Sequence, residues 1–338
     1  MPSTIATPVA ESAATPRAPE FRHFAAEWWE LHTAHLAPNT ITDYTWRLDR
    51  HLLPWFGEME INEITSRDVD EYKASKLRDG RLGARSINMT LSLLCTMLDE
   101  GIEQGWMLTN PARGRRRRLP TRPPRRTYLE TAEQIQALLD AAHQIDCEIP
   151  ASRGTVHRRA IIATLVFSGL RIGELCALRW SDIDLEGKWI SIRVSKTPAG
   201  VRQIRMRPAL QLELERLLEQ HGMVSPELPV FATATGNEPR PTNLRVRVVQ
   251  RAAALAAAKL TSFPDGITPH SLRRTFASVL FAIGEPHPVV MVEMGHTNPG
   301  MTLGVYAQAM RRDERERTAL TDLVAGRVTS RTEELNDR

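Results

Sequence analysis

Arg113-Gly114-Arg115-Arg116-Arg117-Arg118-Leu119-Pro120-Thr121-Arg122-Pro123-Pro124-Arg125-Arg126 divides the chain in two. The stretch holds eight arginines and no acid, whereas all 338 residues together carry a formal net charge of only +4, so the remainder is net acidic. Basic charge concentrated beside prolines reads as an extended strap for a polyanion, above all nucleic acid, held by salt-dependent contacts. A solvated basic linker is the plainer alternative. The length fits about two domains of roughly 100–200 residues, and a 42% hydrophobic content supplies their cores.

Ahead of the strap, Phe21 to His35, Thr40 to Leu53, Arg67 to Leu77 and Ala84 to Gln104 have helical spacing. In the last of them Ile87, Leu91, Leu94, Leu98 and Ile102 recur every three or four residues and mark one buried face. Pro38-Asn39, Pro54 with Gly57, and Gly80 with Gly83 are read as breaks, and the helical unit ends at Asn110-Pro111-Ala112. Met1 to Glu20, interrupted by four prolines and without the plan of a signal peptide, reads as a flexible tail.

Behind the strap, Thr131-Ala132-Glu133-Gln134 has the capping-box pattern ahead of a helix carrying Ile135, Leu138 and Leu139. A helical run from about Val156 reaches Phe167 and Gly169, and helical spacing resumes over Arg171 to Arg179. The β signal is confined to Trp189–Val194 and Val201–Met206, whose alternation around Pro198 and Gly200 predicts a hairpin. Helices then resume, with Thr268 as N-cap and Pro269 opening one of them. The chain is thus expected to be mainly α, with a small antiparallel sheet in the second domain.

Several residues in that second domain have chemical potential. His270 and Arg273 share a face in the first turn of a helix, where unpaired N–H groups already attract anions, and Arg274 is also within reach. Ser168-Gly169-Leu170-Arg171 sets another arginine at a helix start, with Glu174 three residues on; a plain surface pair is the alternative. Lys196 lies in the hairpin turn, and Lys188 is its competitor. Gly295-His296-Thr297-Asn298-Pro299 reads as a turn before a helix bearing Tyr306, one of four tyrosines. A phenol with an ordinary pKa of about 10 becomes a nucleophile only beside a proton acceptor and positive charge.

This set resembles the tyrosine recombinase, or phage integrase, family. The resemblance rests on Arg171 within SGLRIGEL, Lys196, His270 and Arg273 within HSLRRTF, His296 within GHTNPGMTL, and Tyr306 ten residues later. It covers essentially the whole chain, and it selects Arg273 over Arg274. It implies a tail at 1–20, a helical core-DNA-binding domain at 21–112, an arginine-rich linker at 113–127, a mixed α/β but mostly helical catalytic domain at 128–326, and a tail at 327–338.

The same resemblance implies that Tyr306 attacks a scissile phosphate to form a 3′-phosphotyrosyl link. Arg171 and Arg273 would neutralise the transition state, Lys196 protonate the leaving oxygen, His270 accept the tyrosine proton, His296 position the phosphate and Glu174 orient its neighbours. No metal or other cofactor is implied. The partners implied are double-stranded DNA at paired sites, a homotetramer on that DNA, and an accessory directionality factor. The linker arginines, Arg113, Arg115, Arg116, Arg117, Arg118, Arg122, Arg125 and Arg126, would hold the DNA backbone.

Within the family an integrase of a phage or mobile element is preferred over an Xer-type dimer resolvase, from the form of HSLRRTF and GHTNPGMTLGVYAQ. A type IB topoisomerase and a non-catalytic DNA-binding protein are the outside readings. The three cysteines, Cys95, Cys147 and Cys176, form no ligand pattern and fit a reducing compartment. No apolar stretch approaches the roughly 18 residues of a membrane span. A cytoplasmic protein is expected.

Overall fold

The computed structural model describes residues 17–121, 127–148, 157–193, 200–222, 224–295, 305–307, 309–310 and 312–327. The chain forms two compact units, the first up to residue 124 and the second from residue 125. No helix among the described residues is long and apolar enough to cross a membrane.

The first unit is helical: α1 (Phe21–His32), α2 (Pro38–Arg47), α3 (Leu53–Phe56), α4 (Ser66–Asp79) and α5 (Ala84–Glu103). Helix α1 buries Phe21, Phe24, Ala25 and Trp28, the i, i+3, i+4, i+7 stripe of a one-sided helix. Helix α5 buries Ile87, Leu91, Leu94 and Leu98 as its spacing requires. Thr65 and Asp68 exchange hydrogen bonds to start α4, and Gly80, with φ +64°, ends it.

Two expectations are corrected in this unit. Pro54 is no break: a π-helical turn, Leu48–Leu52, joins α2 to α3, and the Leu53 N–H donates five residues back to Leu48. Widening the ladder just ahead of the proline accommodates its missing donor and carries the helical path to Phe56. Residues 17–20 do not belong to a tail. Ala18 is buried, Glu20 bridges to Glu60, and the Ile61 N–H donates to the Pro19 carbonyl at 3.1 Å.

The second unit contains α6 (Ala132–Glu148), α7 (Arg158–Ser168), α8 (Ile172–Cys176), β1 (Ile183–Asp184), β2 (Trp189–Ile192), β3 (Arg202–Arg205), α9 (Pro208–His221), α10 (Pro241–Asn243), α11 (Arg251–Lys259), α12 (Pro269–Ala282) and α13 (His287–Met294), and ends with the helix Glu314–Val324. Every residue of α7 except Arg159 is buried, which makes it the central helix, packed by α6, α9 and α12. The Thr131 hydroxyl accepts from the Gln134 N–H at 3.1 Å to start α6, as the capping pattern predicts. Thr268 and Ser271 cap α12 reciprocally, with Pro269 next in line.

The sheet is antiparallel in the order β1-β2-β3, with Ile190 opposite Ile204 and Ile192 opposite Arg202. The expected hairpin is present, although the strands are shorter than predicted. Strand β1, only two residues long, left no readable alternation in the sequence.

Candidate active site

Gly169 sets the geometry of the site. It ends α7 with φ +62°, and a Cβ there would approach the Phe276 ring to 2.3 Å, so both backbone and space demand glycine. The tight turn delivers Arg171 to the N-cap position of α8 while the close approach brings α12 alongside. Arg273, on α12 and only 2% exposed, donates Nη1 to the Gly169 carbonyl at 2.5 Å and Nη2 to the Met294 carbonyl. Arg171 reaches the Gly295 carbonyl at 3.4 Å. Both arginines therefore meet the C-terminal end of α13, where unpaired carbonyls favour cations.

The Glu174 side chain is only 6% exposed, so it is not a partner in a surface pair. Its carboxylate accepts from the Arg171 N–H at 2.9 Å and from Arg171 Nη1 at 2.7 Å. Arg202 Nη2 and Nη1 approach the same carboxylate at 2.9 and 3.2 Å. Burial by itself raises the Glu174 carboxyl, but the hydrogen bonds and charge of Arg202, followed by those of Arg171, outweigh it and hold the group below its ordinary value. Among the described residues no carboxylate contacts Arg273. Burial first, then the charges of Arg171 and Arg202, pull its guanidinium down to about 9. Three guanidiniums around one carboxylate leave net positive charge at the mouth of two helix ends, the electrostatics of an anion site.

Arg202 was missed in the sequence. It also donates Nε to the Glu293 carbonyl at 2.7 Å and Nη1 to the Gly200 carbonyl at 2.8 Å, so it joins the hairpin, α13 and Glu174. The available signal was strand parity, which puts residue 202 on the buried face with Ile204. With side chains 2% and 6% exposed, the Arg202–Glu174 pair is nearly sealed from water. Arg202→Ala should therefore cost about 3–5 kcal/mol, a fall of roughly 10 °C in Tm by thermal unfolding. A Tm within about 2 °C of the parent would contradict this account of Glu174.

His270 is exposed, and partial desolvation followed by the charges of Arg274, Arg273 and Arg171 lowers its pKa below the ordinary value. Both effects favour the neutral imidazole. Tyr306 is 38% exposed. Its ring stands edge-on to Phe281 at 5.0 Å and to His287 at 6.3 Å between centroids. Among the described residues no hydrogen bond joins its hydroxyl to Arg171, His270 or Arg273. Lys196 and His296 lie outside the described residues. Lys188 is exposed at the end of β2 opposite the one where Ile192 pairs with Arg202, and so stands at the far end of the hairpin from the arginine cluster.

The linker arginines divide. Arg113 pairs with Asp99 at 2.7 Å, Arg117 pairs with Asp70, and Arg118 donates to the Asn88 carbonyl and to the Ser92 hydroxyl. The Asn88 side chain also exchanges two hydrogen bonds with the Leu119 backbone, at 2.8 and 2.9 Å. Residues 113–119 are thus laid on the first unit, a correction to the extended strap, because Asp70, Asp99 and the Asn88 amide lie within reach. Arg116 is exposed. The side chain of Arg115, together with Arg122, Arg125 and Arg126, lies outside the described residues.

Comparison with known proteins agrees with this architecture. Residues 130–312 match the phage integrase family, and residues 20–77 match the phage integrase N-terminal SAM-like domain. The tyrosine recombinase XerC of Xylella fastidiosa is 28% identical over 253 residues, covering 73% of this chain and 79% of that protein. An integrase of Streptomyces ambofaciens is 26% identical over 317 residues, covering 84% of this chain and 75% of its own. In fold, the chain resembles lambda integrase as seen in a tetramer bound to a Holliday junction, with a TM-score of 0.66 at 19% identity over 86% of this chain and 78% of that one. With the family matched over more than half its length, the chain belongs to the phage integrase family and is an enzyme of the tyrosine site-specific recombinase class.

Proposed function

We propose that the chain cuts and rejoins DNA at paired specific sites with Tyr306, and so integrates or excises a phage or other mobile element. The convergence of Arg171 and Arg273 on the two helix ends beside Glu174 carries this reading. It forms a preorganised cationic seat for a scissile phosphate, whose charge grows in the pentacoordinate transition state. The tyrosine Oη–P bond forms as the P–O5′ bond breaks. His270 takes the phenolic proton, Lys196 gives a proton to the departing 5′-oxygen, and His296 positions the phosphate. The phosphotyrosyl link keeps the phosphodiester energy for rejoining, so no cofactor enters the cycle. Four strands are exchanged, which calls for a homotetramer across two duplexes, and the solved lambda integrase tetramer on a Holliday junction supports it. The setting is the cytoplasm, with an accessory factor giving direction.

The integrase reading draws support from the alignment with the Streptomyces integrase, which spans 84% of this chain against 73% for XerC. The XerC likeness also keeps a dimer-resolving role as the second reading. A strand-exchange assay separates them. Labelled duplexes carrying two non-identical sites from the flanks of the gene should yield recombinant joints. Products only between two copies of one site would favour the Xer-type role, and relaxation of a plasmid without paired sites would favour a topoisomerase.

A pH profile tests His270. Its protonated form is disfavoured by desolvation first and then by the surrounding arginines, so the acceptor persists as pH falls to the ordinary histidine value of about 6.5. Adduct formation at saturating DNA should be level above that value and decline only below it. His270→Gln should be slow throughout and lack that acid limb. An unchanged acid limb in the variant would remove His270 from the proton transfer.

A further inference from the structure

Among the described residues Tyr306 meets α12 through its ring contact with Phe281, and a second attachment lies six residues downstream. The ring of Tyr306 meets Phe281, and Arg312 donates Nη1 to the Ser278 carbonyl at 3.1 Å and Nη2 to the Ser278 hydroxyl at 2.7 Å. Ser278 and Phe281 are three residues apart on α12 and share a face. The Met310 N–H donates to the Tyr306 carbonyl at 3.0 Å, and Val305 and Ala309 are buried on either side of Tyr306. Arg312 also donates Nε to the Glu130 carbonyl at 2.8 Å. The Glu130 segment is itself fixed to the same helix, because the neighbouring Leu129 N–H donates to the Thr275 hydroxyl at 2.9 Å.

The guanidinium is thus spent on two backbone carbonyls and one hydroxyl, and its three donor directions fit three acceptors on two separate segments. Lysine, with a single ammonium on a flexible stem, has no equivalent fork. Helix α12 carries His270 about two turns and Arg273 about one and a half turns before Ser278, so the clamp references the tyrosine segment to the helix that holds the phosphate site. A displacement on the order of 1 Å at a reacting atom costs roughly 100-fold in rate.

We propose that Arg312 is a positioning residue for the Tyr306 nucleophile, clamping the segment after it to Ser278 of α12 and to the Glu130 carbonyl. The proposal rests on the reading of Tyr306 as nucleophile, and the experiment keeps the two apart. Full-length protein and its Arg312→Lys, Arg312→Ala and Tyr306→Phe variants are mixed with saturating nicked DNA carrying the core site. Single-turnover adduct formation, DNA affinity and Tm are then measured.

Wild-type protein should give an adduct that maps to Tyr306. Arg312→Lys and Arg312→Ala should form that adduct roughly 100-fold more slowly, with DNA affinity within about 3-fold of the parent. Added guanidinium, at matched ionic strength because DNA binding is salt-dependent, should speed the Arg312→Ala reaction and leave Tyr306→Phe inert. A merely structural role would lower Tm and affinity together and show no rescue, which would overturn the proposal. Wild-type rates in Arg312→Lys would also overturn it. A wild-type adduct on another residue would instead overturn the nucleophile assignment on which it stands.

Discussion

Tyr306→Phe should bind its DNA site within about 2-fold of the parent and form no covalent adduct, a loss of at least roughly 10³-fold in strand cleavage. The side chain sits on Phe281 and His287 through its ring, and its hydroxyl makes no hydrogen bond to the arginines, His270 or any other described residue. Removing one oxygen therefore disturbs no packing, and Tm should not move. Gel-shift binding and denaturing-gel capture on the same nicked substrate check both halves. Residual adduct in the phenylalanine variant would point to another nucleophile.

The second large effect is expected at Arg273. Its guanidinium is buried with no carboxylate in contact among the described residues, and Arg171 and Arg202 already repel it. Charge held in such a place is costly to the folded protein and is repaid when a phosphate arrives. Arg273→Ala should slow cleavage at saturating DNA by roughly 10²–10³-fold, the range for loss of one preorganised donor to a developing anion. Binding should change far less, because affinity for duplex DNA is summed over many phosphates. The variant need not lose stability, since the loss of two hydrogen bonds to Gly169 and Met294 is offset by relief of an isolated buried charge. Weakened binding with an unaltered cleavage rate would contradict the assigned role.

Much of this organisation is legible along the chain because it is written in local chemistry. The stripe of α5, the capping pairs at Thr131 and Thr268, and the glycine between α7 and α8 are decided within a few residues, and they place Arg171, Glu174, His270 and Arg273 correctly on their elements. The hairpin is also local, and its parity already put Arg202 on the buried side. What parity lacks is the partner. Glu174 lies 28 residues away from Arg202, and nothing in either segment announces the pair. Arg312 is hidden for the same reason, because its partners Glu130 and Ser278 lie 182 and 34 residues away in the sequence.

The misread positions have the opposite character. Pro54 looks like a stop because a regular α-helix cannot hold it, and only the π-helical turn ahead of it changes the ladder. The arginine strap reads as free because its composition is basic, whereas Asp70, Asp99 and Asn88 on neighbouring helices capture its first half. Composition gives the charge of a segment and is silent about the surface it lies on.

The central claim is that Tyr306 becomes covalently joined to DNA. The most direct measurement incubates the full-length protein with nicked duplexes tiled across the flanks of its gene, denatures the mixture, and maps any protein–DNA adduct by mass spectrometry. The account predicts a single adduct at Tyr306, carrying a 3′-phosphate from one core sequence. A duplex bound specifically and tightly, yet yielding no adduct or one on another side chain, would contradict it.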